Sequence, residues 1–274
     1  MLEFGYQSLY TELTKDLAIR TGMEVKRIDY SGDSIVVTVK NHKEQTFELM
    51  EIKCQYLLCT VSIGVLQASL KQTKSTANQS LDSLETGVID FVPPLPEWKC
   101  NSIESFGIGL LDKIVLQFPD DFNYENFDLT FVGEQAGEYP WIEFDARSNS
   151  ALIWTGCRFA DNMEMLDDKA IVGRLMEIIR YHHPDVPDPC FHYVTRWRQN
   201  PFTRGTYSYV RVGANQTDVA NISLPVNNKI FFAGEATTGK DHLGTVHGNL
   251  PPFSLFCIGL PQLIYIYRCL LNRG

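Results

Sequence analysis

Apolar and polar residues recur along this chain with two different periods. Near the start, Tyr6, Leu9, Leu13 and Leu17 fall at the spacing of one helix face, with Glu12, Lys15 and Asp16 elsewhere around the wheel. The spacing predicts a helix over residues 5–19, with Gly22 as its stop. Strand-like runs follow at 25–30, 35–40, 46–50 and 55–61, the first two joined by a Ser31-Gly32-Asp33 turn. Residues 71–86 are polar and low in complexity and read as an exposed, mobile loop insertion. Pro93-Pro94-Leu95-Pro96 closes that loop, and Pro96 opens a helix reaching about Phe106. A strand is predicted over 112–118. Between 127 and 157, apolar runs broken by Gly133, Gly137 and Pro140 predict an antiparallel sheet. Residues 166–180 carry the clearest helix, with Asp167 and Asp168 at its start and Arg180 near its end, as the helix dipole favours.

The C-terminal part has a different texture. Ile230 to Ala233 has the length of a strand buried on both faces, and Gly234 stops it without a Cβ in the way of a close approach. Glu235 then stands at a strand's carboxyl end, where open α/β sheets bind ligands. Gly244-Thr245-Val246-His247-Gly248 reads as a turn into a helix with Thr245 as N-cap, which would offer free N–H groups to an anion. Beyond it, Pro251 to Tyr267 carries no charge and borders on the length of a membrane span. Pro251, Pro252 and Pro261 oppose a continuous helix there, so the run reads as an altered reading frame or retained intron and no membrane partner is expected.

Composition narrows the classes. The chain has 274 residues, 44% of them hydrophobic, enough for two domains or one large one. A formal net charge of −9 argues against a free-standing nucleic-acid binder and favours a cationic partner. Seven cysteines without a C-x-x-C pair form neither a disulfide framework nor a zinc pattern, and suit a reducing compartment. Residues 1–20 lack a signal-peptide pattern, so an intracellular location is expected, with cytoplasm, peroxisome and nucleus not distinguished. His242 and His247 stand near Asp241 without a third ligand at useful spacing, so no metal site is expected. There is no Gly-x-Ser-x-Gly and no Walker A sequence, which removes the commonest hydrolase and NTPase readings.

Three groups could carry chemistry. Lys113 lies in an apolar strand with Ile114, Val115 and Leu116, where a lysine facing inward would be desolvated and its pKa lowered. Trp197, Phe202, Tyr207 and Tyr209 form an aromatic group around Pro201 and Gly205, suited to an amine or ammonium by cation–π attraction. Glu235 is the carboxylate at the strand end.

These groups lie in segments with a recognisable likeness. Phe231-Phe-Ala-Gly-Glu-Ala-Thr237 followed by Gly244-Thr-Val-His-Gly248 closely resembles the C-terminal FAD-binding segment of the flavin-containing amine oxidases. That family includes polyamine oxidases, monoamine oxidases and LSD-type histone lysine demethylases. Leu111 to Phe118 and Arg196 to Tyr209 agree with it as well, in family order. The resemblance implies an α/β (mixed α+β) fold: part of a Rossmann-like FAD domain from residues 1–60 and 213–274, and an antiparallel-sheet substrate domain over 61–212. It implies FAD as cofactor, with the Val25 backbone against the adenine, Glu235 on the ribityl or pyrophosphate part, and Thr245 and Val246 near the isoalloxazine. Lys113 would reach the flavin N5 through a water and assist reoxidation by O2, and Trp197 and Tyr207 would cage the amine.

The implied reaction is oxidation of a polyamine by hydride transfer to flavin, with release of H2O2. An LSD-type demethylase acting on a histone tail is the alternative. Two departures stand against the pattern. No G-x-G-x-x-G occurs, Gly107-Ile-Gly109 lacking the third glycine, and the helix expected after Gly248 is replaced by the proline-broken run. Ser62 also stands where the family usually has proline. The chain therefore reads as a fragment, and a truncated, inactive remnant is a further alternative. As such, it is expected to be poorly soluble and colourless alone.

Overall fold

The computed structural model describes residues 7, 11, 12, 14, 15, 17–43, 49–75, 81–120, 125–130, 137–238, 243 and 263–266. Strands β1 (Met23–Asp29), β2 (Ile35–Asn41) and β3 (Leu49–Cys54) form an antiparallel meander. β5 (Asp90–Val92) adds in parallel to β1, giving the order β3-β2-β1-β5. β4 (Tyr56–Cys59) pairs in parallel with both β13 (Ile230–Phe232) and β14 (Leu263–Ile266). That parallel pairing is what the short, unbroken apolar run at 230–233 requires. Of the uncharged stretch 251–267, only β14 falls among the described residues.

Helix α1 (Ile63–Ser75) follows β4 directly. Ser62 caps it: its Oγ accepts from the Val65 N–H at 3.3 Å and donates to the Thr203 carbonyl at 2.7 Å. The hydroxyl thus supplies a cap and a long-range tie that proline could not make. Helix α2 (Glu97–Glu104), strand β6 (Phe106–Gly109) and strand β7 (Leu111–Gln117) come next. β7 is an interior strand of a wholly antiparallel five-stranded sheet. Its order is β11 (Phe191–Val194), β7, β10 (Ser150–Gly156), β9 (Trp141–Asp145) and β8 (Phe127–Thr130). Helix α3 (Cys157–Glu164) leaves the end of β10, and α4 (Asp168–His182) begins at the N-cap Asp167, whose carboxylate accepts from the Ala170 N–H at 2.7 Å. β12 (Tyr207–Val210) pairs with β6, and α5 (Gln216–Asn221) packs on α2.

Two hydrophobic cores result. The first joins residues of β1, β2, β4 and β13 with α1, α2 and α5. Residues 61–106, which the sequence groups with the second unit, contribute Ile63, Leu66, Phe91, Ile103 and Phe106 to this first core. The second lies between one face of the five-stranded sheet (Ile114, Leu116, Ile142, Ile153) and the α4 face Ile171, Leu175, Met176 and Ile179.

Three expectations need correction. The stretch 71–86 is not all loop: α1 continues to Ser75, and the end of the stretch is anchored. Lys26 Nζ donates to Leu84 O, Arg204 donates to both Glu85 and Thr86 O, and the Gly87 N–H donates to Glu24. The third strand, expected over 46–50, runs on to Cys54 in register with β2 (Ile35 opposite Cys54), and its expected residues 46–48 lie outside the described residues. In the N-terminal segment residues 7, 11, 12 and 14 are helical, but Leu17, expected on the apolar face, is 48% exposed beyond the helix; Tyr6, Leu9 and Leu13 lie outside the described residues.

Buried charge is handled by local pairing. Lys99 is wholly buried, and its Nζ donates to the carbonyls of Asn221 (3.1 Å), Ile222 (2.9 Å) and Leu224 (2.6 Å) at the end of α5. It also lies 4.1 Å from the Phe232 ring centroid. Burial pulls its pKa down to about 7, and three carbonyl acceptors are what retain the ammonium. Lys99→Met removes all three donors at once. It should lower stability by about 3 kcal/mol or more, read as a fall in the urea midpoint. The backbone offers a gain elsewhere: Cys157 holds φ 53°, a left-handed conformation disfavoured for residues with a Cβ. Cys157→Gly should raise stability by about 1 kcal/mol in the same measurement.

Candidate functional site

One nearly continuous strand, 106–117, carries the site. Its first half, β6, places Gly107 opposite Tyr209 and Gly109 opposite Tyr207. Both glycines are needed as seats for those rings. A Cβ at Gly109 would fall 2.6 Å from the Tyr207 ring, and one at Gly107 would fall 2.2 Å from the Tyr209 ring. The Gly-x-Gly of this segment is therefore a device of aromatic packing on a two-stranded ribbon.

The second half, β7, alternates. Asp112, Ile114 and Leu116 face inward, whereas Leu111, Lys113 and Val115 face the other side of the sheet. Lys113 is thus not among the buried apolar side chains: strand periodicity sends it opposite to Ile114. Its Nζ lies 4.2 Å from the centroid of Trp154, its cross-strand partner on β10. Trp154 in turn faces Trp141 on β9, which is 47% exposed. Among the described residues, the buried Trp154 indole Nε1 has no hydrogen-bond partner.

The segment after β11 binds back to this strand. The Thr195 N–H donates to Lys113 O at 3.0 Å, the Trp197 N–H to Asp112 Oδ1 at 3.3 Å, and the Thr206 N–H to Gly109 O at 3.0 Å. Within the loop, the Trp197 carbonyl accepts from the Gly205 N–H at 2.9 Å and from the Thr203 hydroxyl. Arg196 is held by Asp168 and Arg198 by Asp161. Lys113, Trp197 and Tyr207 are therefore all fixed to one strand by short-range bonds.

Glu235 connects this assembly to the parallel sheet. It follows Gly234, which holds φ 132° at the end of β13. Its two carboxylate oxygens accept from the Ser208 N–H (3.0 Å) and the Ser208 hydroxyl (2.9 Å) on β12. Val25 lies half-buried in β1 at a register irregularity opposite β2, packed on the first core. Thr245, Val246, His242 and His247 lie outside the described residues.

Sequence reasoning passed over two buried acids, Asp112 and Glu164. A signal was present for the first: Asp112 shares the inward phase with Ile114 and Leu116, so strand periodicity alone buries it. Trp154 and Trp141 were also missed, because the contact of Trp154 with Lys113, and of Trp141 with Trp154, depends on pairing register.

Comparison with known proteins places the fold and the chain. The description flavin containing amine oxidoreductase matches residues 1–250. The chain belongs to this family. A protein named possible lysine-specific histone demethylase 1 from Drosophila melanogaster is 32% identical, over 89% of this chain and 28% of that protein. Probable polyamine oxidase 4 of Arabidopsis thaliana is 31% identical, over 89% of this chain and 44% of that protein. The chain thus spans less than half the length of either curated relative. Among solved structures, a putrescine oxidase triple mutant redesigned in its cofactor binding superposes with a TM-score of 0.55. The match is at 16% identity and covers 83% of this chain and 45% of that one, which supports the amine oxidase fold.

Membership implies a flavin, and the described residues fit one on one side. Gly234, lacking a Cβ, ends a parallel strand at its carboxyl edge, where backbone and cofactor can approach closely. The aromatic seating gives a direct test. Gly109→Ala must displace the Tyr207 ring and should lower stability by about 2 kcal/mol, whereas at Gly173 a Cβ meets nothing within 4 Å. Gly173→Ala, within α4, should instead raise stability by about 1 kcal/mol, and thermal unfolding of both variants measures the contrast.

Proposed function

We propose that this chain is part of an FAD-dependent amine oxidase that acts on a polyamine such as spermine, spermidine or an acetylated form. The observation that supports it best is the fixing of Trp197 and Tyr207 to the same strand that bears Lys113. An ammonium or amine is held between aromatic faces by the ring quadrupoles, most strongly where water is excluded. In this reading Trp197 and Tyr207 hold the amine and Lys113 orders a water near the flavin N5. Val25, Glu235, Thr245 and Val246 hold the cofactor. FAD, when bound, supplies the electron sink: the amine α-carbon gives up a hydride, the resulting imine is hydrolysed by water, and O2 carries the electrons away as H2O2.

The chain's own residues orient and desolvate the amine. The Ser208 donors on Glu235 keep a carboxylate near the cofactor side satisfied, so that it does not present bare charge to phosphates. A multiply charged substrate suits the remaining features. Exposed Glu143 and Asp128 face each other across β9 and β8, on the same face as Trp141 and Trp154. The net charge of −9 favours encounter with a polycation. A second reading, a histone lysine demethylase acting on a histone tail, draws support from the relative of that name.

Peroxide release by the FAD-loaded protein separates these readings. Spermine or spermidine should support turnover, and a dimethyl-lysine histone peptide should not. The reverse would establish the demethylase reading, and a colourless protein giving no peroxide with either would leave an inactive remnant. Trp197→Ala or Tyr207→Ala should lower kcat/KM for the amine by roughly fivefold, the loss of one partly exposed cation–π contact. Lys113→Met with flavin retained should slow reoxidation by O2 in stopped flow; an unchanged rate would remove Lys113 from the site.

A further inference from the structure

Two carboxylates lie buried beneath the loop that carries Trp197. Asp112 on β7 is wholly inaccessible, and Glu164 at the end of α3 is 4% exposed. Between them they accept three successive peptide N–H groups. Trp197 N–H donates to Asp112 Oδ1 (3.3 Å), Arg198 N–H to Glu164 Oε1 (2.9 Å) and Gln199 N–H to Glu164 Oε2 (2.9 Å). The Thr195 hydroxyl adds a bond to Asp112 Oδ1 at 2.7 Å, and the Gln199 side chain donates to the Glu164 carbonyl at 2.5 Å. Every one of these bonds ends on the segment 195–199.

Two buried negative charges side by side require a cation or a proton. The charged groups around the pair are engaged elsewhere. Arg196, on the loop, pairs with Asp168 at 2.6 Å, and His192 on β11 stands 3.5 Å from the same Asp168. Arg198 pairs with Asp161 of α3 at 2.5 Å. Arg158, also on α3, lies by the Phe159 ring, and Lys113 points to the opposite face over Trp154. Across β10, the facing residue is the uncharged Thr155, whose buried hydroxyl has no partner among the described residues. Among the described residues, Asp112 Oδ2 meets no donor either. It is the oxygen left to carry a proton toward the Glu164 carboxyl beside it.

We propose that Asp112 is a positioning residue: as a neutral acid hydrogen-bonded to the Glu164 carboxylate it sets the Trp197 loop, and loss of its proton loosens that loop and weakens amine binding. Burial first, and the facing Glu164 as well, push the Asp112 carboxyl up to about 7, against the opposing bond from Thr195. The transition therefore falls near neutral pH. The kinetic consequence rests on the amine site proposed above; the protonation itself does not.

The two are tested separately. In the FAD-loaded protein, KM for spermine should rise about tenfold between pH 6 and pH 8.5, the loss of one net hydrogen bond, relative to the same ratio in Asp112→Asn. The asparagine keeps a neutral acceptor and donor at every pH, so its ratio should be near that of a substrate-only titration, while kcat changes little in either protein. Equal ratios in parent and variant would overturn the proposal.

Infrared difference spectra of the protein without substrate give the independent arm. A protonated-carboxyl band should be present at pH 6, vanish by pH 8.5, and be missing from Asp112→Asn; identical spectra would overturn the proposal even where no amine is oxidised. If Asp112→Asn does not fold, Glu164→Gln serves instead: removing the facing charge should move the band's loss to lower pH, and no movement would count against the pair. Unfolding provides a sign check. Because the folded acid keeps its proton to about pH 7 and an unfolded aspartate releases it near pH 4, this contribution to stability is complete below pH 4 and lost as pH rises through 7.

Discussion

The interaction on which the rest depends is the binding of residues 195–211 along the strand 106–117. Phe106 belongs to the first core and Ile114 to the second, so this strand is a bridge between two separately packed bodies. Its partners are equally divided. Val194 at the end of β11 lies in the second core, Val210 at the end of β12 packs on the first, and the Arg211 N–H closes the ribbon on Ser105 O at 3.0 Å. Because both ends are fixed by packing, the intervening loop has little freedom. Its aromatic side chains are held at a seam between cores, where ligand sites commonly lie.

Charge burial shows how the two bodies solve one problem differently. In the first, Glu24 and Lys26 pair directly at 2.8 Å, and Lys99 is met by three carbonyls at a helix end. Both solutions match each charge with complementary groups, as burial requires. In the second, the acids Asp112 and Glu164 face each other and use peptide N–H groups from the loop in place of a cation. That arrangement ties loop geometry to protonation in a way the first two do not. A fixed pair would make a more stable seam and a less responsive one.

Much of this was legible in the sequence. Strand-like runs joined by a turn located β1 and β2, alternation located β7, apolar runs broken by glycine and proline located the antiparallel sheet, and the dipole-matched charges of residues 166–180 located α4 within a turn. Polar composition misled at 71–75, because Leu70 and Leu66 bury one face of α1 and carry the helix through polar residues that composition assigns to a loop. Lys113 was found through its segment, and the alternation that buries Ile114 and Leu116 turns it to the other face of the sheet. The site's remaining parts could not be read locally. Trp154 reaches Lys113 only through β10–β7 register, and Glu164 meets Asp112 only because α3 folds back from β10 onto β7.

The bond between Glu235 and Ser208 carries this dependence further. Glu235 stands at the end of a parallel strand, on the side where the family's flavin is expected, and Ser208 lies between Tyr207 and Tyr209 on the ribbon. Two oxygens of one carboxylate grip the backbone and side chain of a single residue, so the position of the strand end and the phase of β12 are set together. A one-residue slip of β12 would exchange the faces of Tyr207 and Ser208, breaking the grip on Glu235 and unseating the rings from Gly107 and Gly109 at the same time. The strand-end carboxylate and the aromatic ribbon are therefore not independent modules joined by a linker; the register of four residues makes each a condition of the other.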